Sequence, residues 1–167
     1  MAQAEPSGWT FAAGAGAAYG AGGEERNDAS GPGIGLQFML ARNGPRLGFG
    51  ALLHTVWFDG RFSSEKRHML AAIVRMRPAS LPLALHAGAG LGLATVIDID
   101  GPPPPPGVGD VVVAIGDNSA VGLVLGAALP VGLTEWLNFE PTADVILHRA
   151  GGHTLGTAII GARIRLW

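Results

Sequence analysis

In four separate stretches of this chain every second residue is glycine or alanine and the residues between are large and apolar, a period of two that points to strands. Leu47, Phe49, Ala51, Leu53 and Trp57 alternate with Gly48, Gly50, Leu52 and His54. Leu83, Leu85, Leu91 and Leu93 alternate with Ala84, His86, Gly88, Gly90 and Gly92. The small face also carries most of the histidine, arginine and acid, so it points inward, and the leucine face requires a hydrocarbon solvent. Strands cross a bilayer only when the sheet closes and every backbone group is paired. The pattern therefore specifies a transmembrane β-barrel.

Composition agrees with this inversion. An apolar fraction of 48%, a charged fraction of 14% and a mean hydropathy of +0.32 lean beyond an ordinary soluble surface, and 167 residues fit one domain. The 27 glycines and 12 prolines show no collagen-like period of three. With 13 acidic and 11 basic residues, the latter scattered, there is no electrostatic footprint for nucleic acid. The absence of cysteine excludes a disulfide framework or a Cys-ligated metal. Residues 79–97 and 119–133 are apolar enough to raise a transmembrane helix, but Pro82, His86, Pro130 and glycines at a spacing of two favour strands. Met1 to Pro6 has neither the basic region nor the apolar stretch of a secretory signal, so the chain reads as a mature form with an added initiator Met, residues 1–8 forming a tail on a single barrel domain.

Eight strands follow from the alternation, at about 9–20, 33–42, 46–58, 66–77, 83–98, 119–131, 136–148 and 154–167. Their connections alternate between longer polar loops (21–32, 59–65, 98–118, 149–153) and shorter turns (43–45, 78–82, 132–135). Short turns face the periplasm in such barrels, which puts both termini there and the longer loops outside. Aromatics near strand ends form interfacial girdles: Trp9, Tyr19, Trp57, Trp136 and Trp167. Pro102 to Pro106 is a stiff spacer at the crown of the third outer loop, and Val111 to Ile115 reads as a rim strand.

Eight amphipathic strands, aromatic girdles, alternating loops and the terminal Trp167 resemble the small outer-membrane β-barrels of Gram-negative bacteria, the superfamily around the transmembrane domain of outer-membrane protein A. The resemblance is one of pattern and covers nearly the whole chain. It implies an all-β, eight-stranded antiparallel up-and-down barrel in the bacterial outer membrane, in contact with the lipid bilayer and lipopolysaccharide and inserted by the barrel-insertion machinery. One departure concerns the terminal signature, in which residues two and four before the aromatic are usually apolar; here they are Arg165 and Arg163. Arginine on the lipid face costs ~2–4 kcal/mol near the midplane. Ile160, Ala162, Ile164 and Leu166 are accordingly expected outward and both arginines inward, with Trp167 at the periplasmic rim or turned outward by a bulge.

An eight-stranded barrel is just wide enough for its own side chains, so large inward residues are expected to fill the space that glycines leave, and inward charges to pair as a polar plug. The expected lumen network is Arg75, Arg77, His86, Glu140, Asp144, Arg163 and Arg165. Pairing across the 149–153 loop sets Glu140 opposite Arg163, and pairing around the 78–82 turn sets His86 near Arg75. A gate that opens this network and conducts ions is the first alternative. A lipid-modifying enzyme is the second, with Ser64, His68, Glu65 and His54 as candidates near the outer rim for a nucleophile, base and orienting acid. The His-x-Ser signature of lipid A deacylases does not occur in this sequence. His148, His153 and Asp144 are too loosely spaced, without a fourth ligand, for a metal site, and no metal or cofactor is expected. The favoured role is structural, anchoring or loop-mediated binding, through loops such as Gly22 to Asp28, with an extracellular ligand that the residues do not name.

Overall fold

The computed structural model describes residues 8–21, 31–59, 63–98, 120–150 and 153–167. Nine strands occupy these residues: β1 (Gly8–Ala21), β2 (Pro32–Asn43), β3 (Leu47–Asp59), β4 (Ser63–Met76), β5 (Ala84–Asp98), β6 (Ala120–Ala128), β7 (Val131–Gly132), β8 (Leu137–Ala150) and β9 (His153–Leu166). Each strand pairs antiparallel with the next in sequence, except that β6 passes over β7 to pair with β8, and β1 pairs with β9 to close the sheet. The sheet is thus a closed eight-stranded up-and-down barrel. The two-residue β7 is a short ribbon on the end of β8, where Val131 faces Phe139 and Gly132 faces Asn138.

The sixth long strand ends at Ala128, short of the boundary expected at 131. Pro130 has no N–H for the ladder and a fixed φ, and the chain breaks pairing around it before resuming in β7. At the opposite end β4 begins three residues earlier than the alternation indicated and β3 runs one residue further, so Ser63, Ser64 and Glu65 belong to a strand rather than a loop. The polyproline run and the segment 111–115 lie outside the described residues. The turns at this end are tight: the Gly44 N–H donates to Leu47 O at 2.8 Å, and the Leu81 N–H donates to Pro78 O at 3.2 Å.

The burial pattern inverts that of a soluble sandwich. Ile160, Ile34, Leu91, Val121 and Leu125 are 72%, 66%, 65%, 65% and 60% exposed, whereas Arg75, Glu140, Arg163 and Arg165 are at most 2% exposed. Among the described residues this outer face is left exposed, as the alternation predicts for a face turned to hydrocarbon. Inside, Met39, Leu52, Val56, Phe58, Met69, Ile73, Val124, Ile146 and Ile159 form the apolar part of the core. Glycine permits the tight curvature: a Cβ on Gly16 would lie 2.5 Å from Ile160 O, and one on Gly161 would lie 2.6 Å from the Gly16 Cα.

Candidate functional site

Inward side chains of five strands meet in the lumen in three polar groups. In the half of the barrel nearer the short turns, Glu140 of β8 accepts from Arg75 Nη2 of β4 at 2.6 Å through Oε1, and from Arg163 Nε of β9 at 2.8 Å through Oε2. Arg165 Nε lies 3.0 Å from Glu140 Oε1. Glu140 and Arg163 are direct cross-strand neighbours, whereas Arg75 reaches the same carboxylate across the barrel. With the Asn138 amide oriented to satisfy both ends, its oxygen accepts from Arg165 Nη2 at 2.8 Å, and the Arg165 guanidinium stacks over the Trp167 ring at 4.4 Å. Arg77 lies just beyond β4 and is half-buried. Burial, then the like charge of Arg75, lowers its pKa from the ordinary guanidinium value, with Glu140 acting in the opposite sense.

Two inward positions further along β8, the strand register sets His86, Gly126 and Asp144 side by side on β5, β6 and β8. Gly126 offers no side chain, so His86 and Asp144 meet over it, His86 Nε2 lying 2.8 Å from Asp144 Oδ1. The contact is close but off the hydrogen-bond axis. His54 Nε2 approaches the other carboxylate oxygen at 3.9 Å. Arg75 and His86 are register partners, but their side chains diverge, Arg75 to Glu140 and His86 to Asp144.

Toward the outer end, Arg67 and Glu65 form a bidentate pair at 2.7 and 3.0 Å, and Arg67 also donates to Thr157 Oγ1 and Gly156 O. The Arg67 guanidinium lies 4.7 Å from the centroid of the Phe58 ring. Sequence reasoning missed this pair as a lumen element, although two residues at a spacing of two share a face of a strand and Glu65-x-Arg67 carried the signal.

The candidate hydrolytic residues are not brought together. Glu65 is buried in the lumen on Arg67, while His68 stands on the opposite face of the sheet with Nδ1 3.1 Å from Thr55 Oγ1. His54 sits opposite Met69, in the middle of β3 and β4, rather than at the outer rim. The side chains of Ser64 and His153 lie outside the described residues. Among the described residues no group of three His, Cys, Asp or Glu side chains is placed to hold a metal ion. Trp9, Tyr19 and Trp136 are exposed on the outer face near strand ends and Trp57 is half-buried there. Trp167 lies at the rim on the short-turn side, its indole N–H donating to Glu135 O.

No protein-family model matches the sequence, and no curated protein matches it significantly. Solved structures do. The attachment invasion locus protein Ail of Yersinia pestis superposes with a TM-score of 0.56 at 18% identity, covering 96% of this chain and 100% of that one. Neisserial surface protein A gives 0.57 at 14% identity, covering 93% and 96%. The fold is that of the small outer-membrane β-barrels. The outer-membrane protein Ail in a phospholipid bilayer nanodisc also superposes, at 0.52 and 17% identity over 95% and 99% of the two chains.

Proposed function

We propose that this chain is a Gram-negative outer-membrane barrel serving as a lipid-embedded anchor for its outer loops, with a lumen closed by the ionic plug around Glu140. The observation that carries this reading is the inverted burial: a continuous belt of leucine, isoleucine and valine outside, and fully buried Arg75, Arg163, Arg165 and Glu140 inside. Such a surface is stable only against acyl chains, and such an interior leaves little room for solute flow. The belt would face phospholipid and lipopolysaccharide, and insertion would depend on the barrel-insertion machinery. The separation of Glu65 from His68 by the sheet supports a binding rather than a hydrolytic role.

An epitope inserted within residues 22–28 tests the anchor reading. It should be labelled by antibody on intact cells while the protein fractionates with the outer membrane; labelling only after lysis would refute the reading. A gated channel is favoured by one specific feature, the three arginines that can exchange over one carboxylate. Planar-bilayer recordings decide between the two. The plug predicts no unitary conductance, and resolved openings in the wild type would replace the anchor with a pore.

A further inference from the structure

Arg42 is exposed on the outer face of β2, one residue before the strand ends at Asn43. The register flanks it with Trp9 on β1 and Phe49 on β3, both exposed on the same face, and the next row toward the middle of the barrel wall is Phe11, Leu40 and Ala51, wholly apolar. Arginine is tolerated on a lipid-facing wall only near an interface, and tryptophan favours the headgroup level, so Arg42 marks where the hydrocarbon belt ends. Beside it lies a cleft of about 280 Å³ lined by Gly8, Arg42, Asn43, Gly44, Leu47 and Phe49. That is just under the ~300 Å³ at which small-molecule sites begin, room for a headgroup but not for a whole lipid. Arg42 makes no hydrogen bond, ion pair or ring contact among the described residues. No described acid is near it: Asp59, Glu65 and Asp98 stand at the far end of the barrel, Glu140 and Asp144 face the lumen, and Glu135 lies in the connection before β8, three strands round the sheet.

We propose that this cleft holds the headgroup of an anionic phospholipid of the phosphatidylglycerol class, with Arg42 as the phosphate ligand. The planar guanidinium offers paired N–H donors to two oxygens of a phosphodiester, and Arg46, exposed in the adjoining turn, adds a second positive charge. Leu47 and Phe49 form the apolar side of the cleft, against which the glycerol packs, and the acyl chains run from there along exposed Leu40 and Phe38 toward the middle of the bilayer. Selectivity follows from charge. A zwitterionic lipid brings an ammonium group for which this rim supplies no carboxylate among the described residues, whereas a lipid with an uncharged headgroup brings only the phosphate that Arg42 can take. The site goes beyond the anchor reading and requires only that the outer wall meet lipid. Epitope labelling reads loop exposure on cells and lipid retention reads one cleft, so the two fail separately.

The test places the full chain in nanodiscs of phosphatidylethanolamine with phosphatidylglycerol as the minor component, and counts the lipids retained on the protein by native mass spectrometry. Both lipids occupy both leaflets there, so the orientation of the barrel does not enter. A single phosphatidylglycerol should remain on each chain, enriched at least fivefold over its share of the bilayer. Arg42→Gln should cut that retention at least fivefold and Arg42→Lys should restore most of it, while Lys66→Gln, on the outer face opposite Trp57 at the far end of the barrel, should leave it unchanged. Retention at the bulk lipid ratio would overturn the site and leave Arg42 merely solvated; an equal loss in Lys66→Gln would reduce it to general charge attraction and also overturn it. If Arg42→Gln fails to fold, a photoactivatable phosphatidylglycerol decides on the wild type: crosslinks should concentrate within residues 38–49, and crosslinks spread evenly round the belt would refute the proposal.

Discussion

Replacing Glu140 by alanine removes the carboxylate that Arg75, Arg163 and Arg165 share at 2.6, 2.8 and 3.0 Å, in a place where Glu140 itself has no exposed surface. Deleting one partner of a buried pair leaves the other charge uncompensated and typically costs about 3–5 kcal/mol. The three contacts do not add independently, because the same two oxygens serve all of them, so the lower part of that range is the working figure. With a urea slope of about 1–3 kcal/mol per molar, the unfolding midpoint should fall by about 1 M or more. The assay is urea unfolding in detergent, followed by heat-modifiable gel mobility and by the fluorescence of Trp136 and Trp167 at the periplasmic rim. Arg163→Ala should cost less than Glu140→Ala, since it leaves the carboxylate with two arginines. An unchanged midpoint for Glu140→Ala, or the reverse order of the two variants, would refute the view that this carboxylate is the hub of the plug.

The lipid-facing assignment predicts a depth dependence that a soluble surface would not show. Leu70, mid-strand in β4 and 57% exposed, should cost ~2–4 kcal/mol as Leu70→Arg, while Met76→Arg at the periplasmic end of the strand should cost ~0–1 kcal/mol; unfolding from bilayers checks both, and equal, negligible effects would count against lipid contact. Gly126→Ala would place a Cβ 2.5 Å from His86 Nε2 and in overlap with Asp144 Oδ1, so it should destabilise the barrel by ~1–3 kcal/mol. Gly35→Ala meets only ordinary contacts at 3.4 Å from Ile159 methyl groups, and its midpoint should stay within ~0.5 kcal/mol of wild type.

What could be read from the residues, and what could not, follows the geometry of a closed sheet. Facing was legible because the side-chain period is two: Leu123 and Leu125 fall outside and Gly122 and Val124 inside in the structure as in the pattern. Adjacent-strand register was legible through turn lengths, which set Glu140 opposite Arg163 and His86 opposite Arg75. Strand ends were less so, because a polar strand rising beyond the membrane, as at Ser63 to Glu65, carries no apolar signal.

Contacts across the lumen were not legible, and the reason is physical. Which heights of β4 and β8 face one another depends on the stagger accumulated around the whole barrel, a quantity that no single hairpin contains. Arg75 therefore finds Glu140 rather than its register partner His86. Yet the row that redirects His86 could have been assembled from three successive registers, since His86, Gly126 and Asp144 are consecutive neighbours and the glycine between two ionisable groups marks where they meet. The same logic places large inward residues beside bare backbone elsewhere: Ile73 beside Gly88, Met69 beside Gly92 and Arg163 beside Gly14. In this barrel the glycines are thus not merely tolerated by curvature; their positions select which long side chains can lie flat across a neighbouring strand, and so determine where the charges of the lumen come together.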